Sequence, residues 1–149
     1  MRIEASANIM ADRAKVFAAM TDFANAAERI SGIARMEMLT DGPVGVGTRF
    51  RETRIMMKRE ATETMEVTDF RPLESYTLEA HSCGCHYTTK ISVADAGPGQ
   101  TQVTMSFSGV PKTFAAKLMM PMGWLFRGML KKCLLKDLTD VKTSLESKA

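Results

Sequence analysis

Two groups of residues in the 149-residue sequence have the types and spacing to do chemistry. The first is the run AHSCGCHY at positions 80–87, which sets both histidines, His81 and His86, around Cys83 and Cys85. Four such donors are the number a tetrahedral zinc takes, and paired thiols also carry redox chemistry. The second group is Glu52 and Arg54, two residues apart, with Glu63 further along. Residues two apart in a strand share a face. There Glu52 and Arg54 would anchor a ligand carboxylate, hydroxyl or carbonyl, or act as a general acid–base pair with pKa values shifted by burial.

The spacing of the first group argues against metal. Structural zinc sites separate paired cysteines by two or more residues, whereas all four donors here fall within one turn and no distant Cys or His pair completes the set. Redox chemistry is equally poorly served, because C-x-C on no predicted helix N-terminus lacks what lowers a thiol pKa. Ser82-Cys83-Gly84 instead falls where a tight hairpin connection is needed, and Gly84 supplies the positive φ of such a turn. The reading is a turn, with no metal and no cofactor. No G-x-S-x-G, Walker or Rossmann glycine pattern offers another catalytic site.

The elements that must position Glu52 and Arg54 come next. With 45% hydrophobic and 25% charged residues, the composition is that of one globular domain, 1–149. A net charge of +3, with Lys and Arg interleaved among Asp and Glu, does not imply nucleic acid. No signal core or membrane-spanning run is visible, and three cysteines with Cys133 far from the others suggest no disulfide framework. The expectation is a cytoplasmic protein with reduced thiols and no stable membrane insertion. The oddity is 13 methionines, flexible and polarizable side chains that fill irregular apolar space.

Arg2 to Met10 alternates as a half-buried strand. Asp12 is placed to cap a helix carrying Val16, Phe17 and Met20, and a short helix follows from Phe23 to Arg29. Strands then run Ile33 to Thr40, Val46 to Met57, Ala61 to Phe70, Leu73 to His81, Cys85 to Ala94 and Gln102 to Ser108, separated by Gly, Pro and Asp turns. This is an antiparallel meander. Lys112 to Ser147 returns to helical period, with Leu130, Leu134, Leu138, Val141 and Leu145 on one stripe and a break near Met120 to Trp124, where Pro121 and Gly123 fall.

That order carries a resemblance. ASANIMADRAKVFAAMTDFANAAERI resembles the opening strand and helix pair of the START-like, polyketide cyclase/dehydrase-type (SRPBCC) superfamily, which has the helix-grip fold of the birch-pollen allergen. DGPVGVGTRFRE resembles its Gly-rich turn and third strand, MEVTDFRPLESYTL its fourth-to-fifth strand crossing, and GQTQVTMSFSGV its last strand. The family often has Pro after the first strand, where this sequence has Met10-Ala11-Asp12. The resemblance implies an α+β fold: a curved seven-stranded antiparallel sheet around a long C-terminal helix, two short helices after strand one, and a cavity between sheet and helix. Such cavities hold lipids, sterols or polyketides, and a few lineages catalyse reactions there. The oxygenase branch holds iron with two His and a carboxylate, a spacing that His81 and His86 do not match.

Strand parity says which side chains would line that cavity. Val103, Met105 and Phe107 form one inward set, Tyr87, Thr89, Ile91 and Val93 another, and Tyr76, Leu78 and Ala80 a third. Keeping Phe50 and Met56 inside brings Glu52 and Arg54 in, whereas the opposite parity would bury Arg49 and Arg51 as unpaired like charges. On the next strand, Ala61, Met65 and Val67 bring Glu63 along. The helix adds Met122, Phe126 and Leu130, because the Met, Trp and Phe of MMPMGWLFRGML belong to the element the sheet grips. The expected function is binding of a small apolar or amphipathic ligand. A cyclase/dehydrase-type enzyme using Glu52 and Arg54 is the alternative, favoured by polar groups deep in the pocket. A partner-binding accessory module is the third, favoured by a pocket filled with its own methionines.

Overall fold

The computed structural model describes residues 2–56, 58–82, 84–119, 121 and 125–147. Seven strands, β1 (Arg2–Ile9), β2 (Ile33–Met38), β3 (Arg49–Met56), β4 (Arg59–Arg71), β5 (Ser75–Ser82), β6 (Cys85–Gly97) and β7 (Gln100–Pro111), form one sheet. Its order is β1-β7-β6-β5-β4-β3-β2, and every pairing is antiparallel. Successive strands from β2 to β7 are neighbours, as short turns dictate. Only β1 joins out of sequence, beside β7, and between β1 and β2 the chain crosses through α1 (Arg13–Thr21), a 3₁₀ turn (Phe23–Asn25) and α2 (Ala26–Arg29). This is the predicted helix-grip arrangement.

Local chemistry sets the boundaries. Asp12 caps α1 by accepting from the Lys15 N–H at 2.8 Å, so the helix starts without the proline often found there. β3 begins at Arg49, three residues later than the apolar pattern suggests. Gly47 takes φ +94° and Val46 is exposed, so Gly45–Thr48 is a turn leading into the strand. At the C-terminal end, α3 (Phe114–Leu118) is capped by the Thr113 hydroxyl, and the long helix α4 runs from Arg127 to Glu146. The expected break near Met120 to Trp124 falls at residues 120 and 122–124, which lie outside the described residues.

α4 packs over the sheet, most closely on β1, and buries Leu138 and Val141. With Ile9, Val16, Val67, Val103 and Ile91, all 0–2% exposed, they form the core at one end of the helix. Phe23 stacks on Phe50 at 4.5 Å, and Phe17 meets Tyr76 edge-on at 6.1 Å, which ties α1 and the 3₁₀ turn to the sheet. Met129, Leu130 and Cys133, on the earlier turns of α4, border a cavity.

Candidate functional site: an apolar cavity with a buried acid–base triad

A cavity of about 700 Å³ lies between the sheet and α4. Strand alternation delivers its lining. Phe50, Glu52, Arg54 and Met56 of β3, Glu63 and Met65 of β4, Tyr76 and Leu78 of β5, Tyr87 and Thr89 of β6, and Met105 and Phe107 of β7 all border it. Leu130 and Phe126 border it from the helix side. Ala61 and Ile91 border it too, whereas Val67, Ala80, Val93 and Val103, also expected to line it, are buried in the core instead, and Met122 lies outside the described residues.

β3 shows why the parity is fixed. Phe50 and Glu52 are buried, whereas Arg49 and Arg51 are exposed and pair with Glu66 and Glu37 on the outer face, at 3.6 and 2.9 Å. A shift of one residue would bury two arginines.

The polar end of the cavity is a triad. The Arg54 Nε donates to the Glu52 carboxylate, while Nη1 and Nη2 donate to Oδ1 and Oδ2 of Asp137 at 3.2 and 2.6 Å. Glu52 and Asp137 are 8% and 6% exposed. Burial disfavours the charged guanidinium, but the Asp137 hydrogen bonds and the charges of Glu52 and Asp137 outweigh it, holding the Arg54 pKa above its ordinary value. Glu63 faces Glu52 directly across the β3–β4 ladder. Burial first, then the Glu52 charge, raises the Glu63 pKa, so it keeps a proton to higher pH than an ordinary glutamate. The Tyr76 pKa is raised by burial and by Glu52, and its hydroxyl donates to the Met20 carbonyl at 2.9 Å.

This arrangement constrains what can bind. A guanidinium has five N–H donors in a planar fork, and both edges used by paired carboxylates are engaged here. Two carboxylates and one guanidinium carry a formal charge of −1. The nearest further cations sit at the rim and have their own partners: Lys136 binds Ser31 Oγ at 2.6 Å beside Asp140, and Arg29 pairs with Asp22 at 3.1 Å.

Asp137 was not among the residues expected at the site, although the sequence signals it. It falls within the apolar stripe of Leu134, Leu138 and Val141, where a carboxylate needs a buried partner. Met20 and Phe23, from α1 and the 3₁₀ turn, also line the cavity unexpectedly. Gly32 lies against the triad: a methyl there would sit 3.4 Å from Arg54 Nη1.

The AHSCGCHY segment lies elsewhere. Ser82 pairs with Cys85, so β5 and β6 form the expected hairpin around positions 83–84, with Gly84 at φ +75°. Cys83 is outside the described residues. His81 and His86 stack at 4.4 Å, and His86 Nε2 meets Glu79 Oε1 at 2.6 Å. By strand alternation these side chains point away from the cavity that Leu78 and Tyr87 line. Among the described residues, no three His, Cys, Asp or Glu gather in a way that would hold a metal ion.

The sequence matches the family described as Polyketide cyclase / dehydrase and lipid transport over residues 1–142. The chain belongs to this family. No curated protein matches the sequence. Among solved structures, the polyketide cyclase/dehydrase fold recurs in the Zhui aromatase/cyclase from Streptomyces sp. R1128, with a TM-score of 0.80 and 14% identity over 98% of this chain and 93% of that one. It is similar to TTHA0849 from Thermus thermophilus, with a TM-score of 0.80 and 13% identity over 100% and 99% of the two chains. A START superfamily protein from Mycobacterium smegmatis matches with a TM-score of 0.75 and 13% identity over 97% and 98%. At these identities the likeness is one of fold, and function must be argued from the cavity.

Proposed function

We propose that this chain is a single ligand-binding domain whose cavity takes a small apolar or amphipathic molecule with a neutral, hydrogen-bond-donating or cationic end. The carrying observation is the cavity of about 700 Å³, apolar over most of its wall and bordered by the Glu52–Arg54–Asp137 triad. Ligand pockets of roughly 300–1,000 Å³ with a few convergent polar groups are the general pattern. Met36, Met56, Met65, Met105 and Met129 border the cavity but leave it open, which gives no support to an accessory module with a self-filled interior.

The polar end sharpens the ligand class. Arg54 is already engaged by two carboxylates, so it offers no bidentate fork to a ligand carboxylate, and the triad's excess negative charge repels one. A hydroxyl, phenol or amine meets acceptor oxygens instead. Calorimetric titration with dodecanol, dodecylamine and dodecanoate at pH 7 tests this. The carboxylate should bind at least about tenfold more weakly than the alcohol, a difference of about 1.4 kcal/mol. Equal or tighter binding of dodecanoate would refute the assignment of ligand class.

One observation supports enzymatic chemistry as a second reading. Glu63, its pKa raised by burial and then by the Glu52 charge, faces Glu52 across the ladder, beside the Glu52–Arg54 pair. A carboxyl whose pKa is raised by burial suits the general-acid role. On this reading Glu63, rather than Arg54, is the proton donor, and the chemistry would be of the cyclase or dehydrase type. Incubation with an aromatic polyketide precursor, followed by mass spectrometry, should then show loss of water. Turnover should fall about 10²–10⁴-fold in Glu63→Gln.

A further inference from the structure

Between Asp95 and Asp137 the sequence contains no Asp or Glu, although the chain has 17 acidic residues in all. The same interval carries Lys112, Lys117, Arg127, Lys131, Lys132 and Lys136. The interleaving of charges that holds elsewhere therefore fails here. This stretch also contains much of the exposed apolar surface. Phe114 is 77% exposed, Leu118 66%, Met119 56% and Leu125 76%. The expectation that the Met, Trp and Phe side chains of MMPMGWLFRGML would be core or cavity lining holds for Phe126 and Met129, which border the cavity with Leu130, but fails for Met119, and Leu125 is exposed as well.

Phe114 and Leu118 stand four residues apart on α3 and so share a face, while Ala116 between them is buried against the fold. Lys112 and Lys117, both exposed, belong to the same short segment. Large apolar side chains turned to solvent beside cations, with no acid in the segment, match a surface that is apolar below and negative at its boundary. A partner protein with an apolar pocket would not require a 41-residue interval free of acids. Among the described residues, no helix is long and apolar enough to cross a membrane, so any such contact is peripheral.

We propose that α3, with Lys112 just before it, docks on an anionic phospholipid surface. Phe114 and Leu118 enter the headgroup–acyl boundary, and Lys112 and Lys117 meet the lipid phosphates. In sequence α3 is soon followed by Phe126, Met129 and Leu130, which border the cavity. Docking would thus set a route into the cavity against the source of an apolar ligand. The docking itself does not depend on what the cavity holds.

The test is co-sedimentation of the full chain with vesicles of phosphatidylcholine alone or with about one-third phosphatidylglycerol. Binding should require the anionic lipid. It should weaken at least about tenfold when salt rises from about 0.1 M to about 1 M, since the screening length falls from roughly 10 Å to roughly 3 Å. Phe114→Ser/Leu118→Ser should lose at least about tenfold in partitioning, and Lys112→Glu/Lys117→Glu should lose it as well. Both pairs are exposed and outside the cavity, and circular dichroism and thermal melting should match the unaltered protein. Absence of binding to anionic vesicles would overturn the proposal. So would binding that survives the serine pair, or vesicle-independent dimerisation abolished by the same pair, which would make the patch an interface between two copies.

Discussion

Arg54 of β3 and Asp137 of α4, 83 residues apart in sequence, are joined by two hydrogen bonds of 3.2 and 2.6 Å that tie the sheet to the helix at the polar end of the cavity. Glu52 accepts from the third nitrogen, Nε, of the same guanidinium. A lone Glu52–Arg54 pair would lose most of its compensation if Glu52 were removed. With Asp137 present, the group on which the others depend is the single cation.

The triad should therefore respond asymmetrically. Arg54→Gln leaves two buried carboxylates facing each other and should cost about 3–5 kcal/mol at neutral pH. Glu52→Gln or Asp137→Asn leaves one intact ion pair, with an expected cost of about 1–2 kcal/mol. Urea unfolding at neutral pH measures this. Equal losses for all three variants would contradict a shared guanidinium.

Glu63 gives a pH prediction of its own. Its folded-state pKa is raised, by burial and then by Glu52, so the folded protein binds the proton more tightly than the unfolded chain. Stability contributed by this group is then lost as pH rises from the ordinary glutamate range through the raised value. Glu63→Gln removes that loss. Its melting temperature should exceed that of the unaltered protein at about pH 8, and the difference should vanish near pH 4. A difference that grows toward acid pH would reverse the assigned direction.

At the β5–β6 hairpin, the glycine rather than the thiols should matter. A methyl on Gly84 would lie 2.4 Å from Thr113 Oγ1, at a backbone φ of +75°, and the Gly84 carbonyl accepts from the Lys112 N–H at 2.7 Å. Gly84→Ala should cost about 1–3 kcal/mol through strain and displacement of Thr113. Cys85→Ser should change stability by no more than about 0.5 kcal/mol. Thermal melts of the two variants decide it, and the opposite ranking would point to a structural role for the thiol.

These predictions mix what was legible in the sequence with what was not. The inward faces of β3 to β7 could be read from alternation, because a one-residue shift would have buried Arg49 and Arg51. Gly84 could be read because its turn needs a particular backbone conformation. Asp137 escaped because helical periodicity was used to find apolar residues, and a carboxylate inside the stripe of Leu134, Leu138 and Val141 has no meaning until Arg54 is brought opposite. Met20 and Phe23 escaped because strand parity says nothing about helices that close over the sheet. The exposure of Phe114 and Leu125 escaped because an apolar run does not state which of its residues meets solvent.

The central claim is that the cavity admits an apolar ligand, and fluorescence titration with the neutral probe N-phenyl-1-naphthylamine tests it most directly. Thr89, from β6, borders the cavity opposite Leu78 and Phe107 on the neighbouring strands, so Thr89→Trp should fill space the ligand needs. The folded protein should bind one equivalent of probe, dodecanol should displace it, and Thr89→Trp should bind at least about tenfold more weakly while remaining folded. No probe binding to the folded protein, or binding that Thr89→Trp leaves unchanged, would contradict the account.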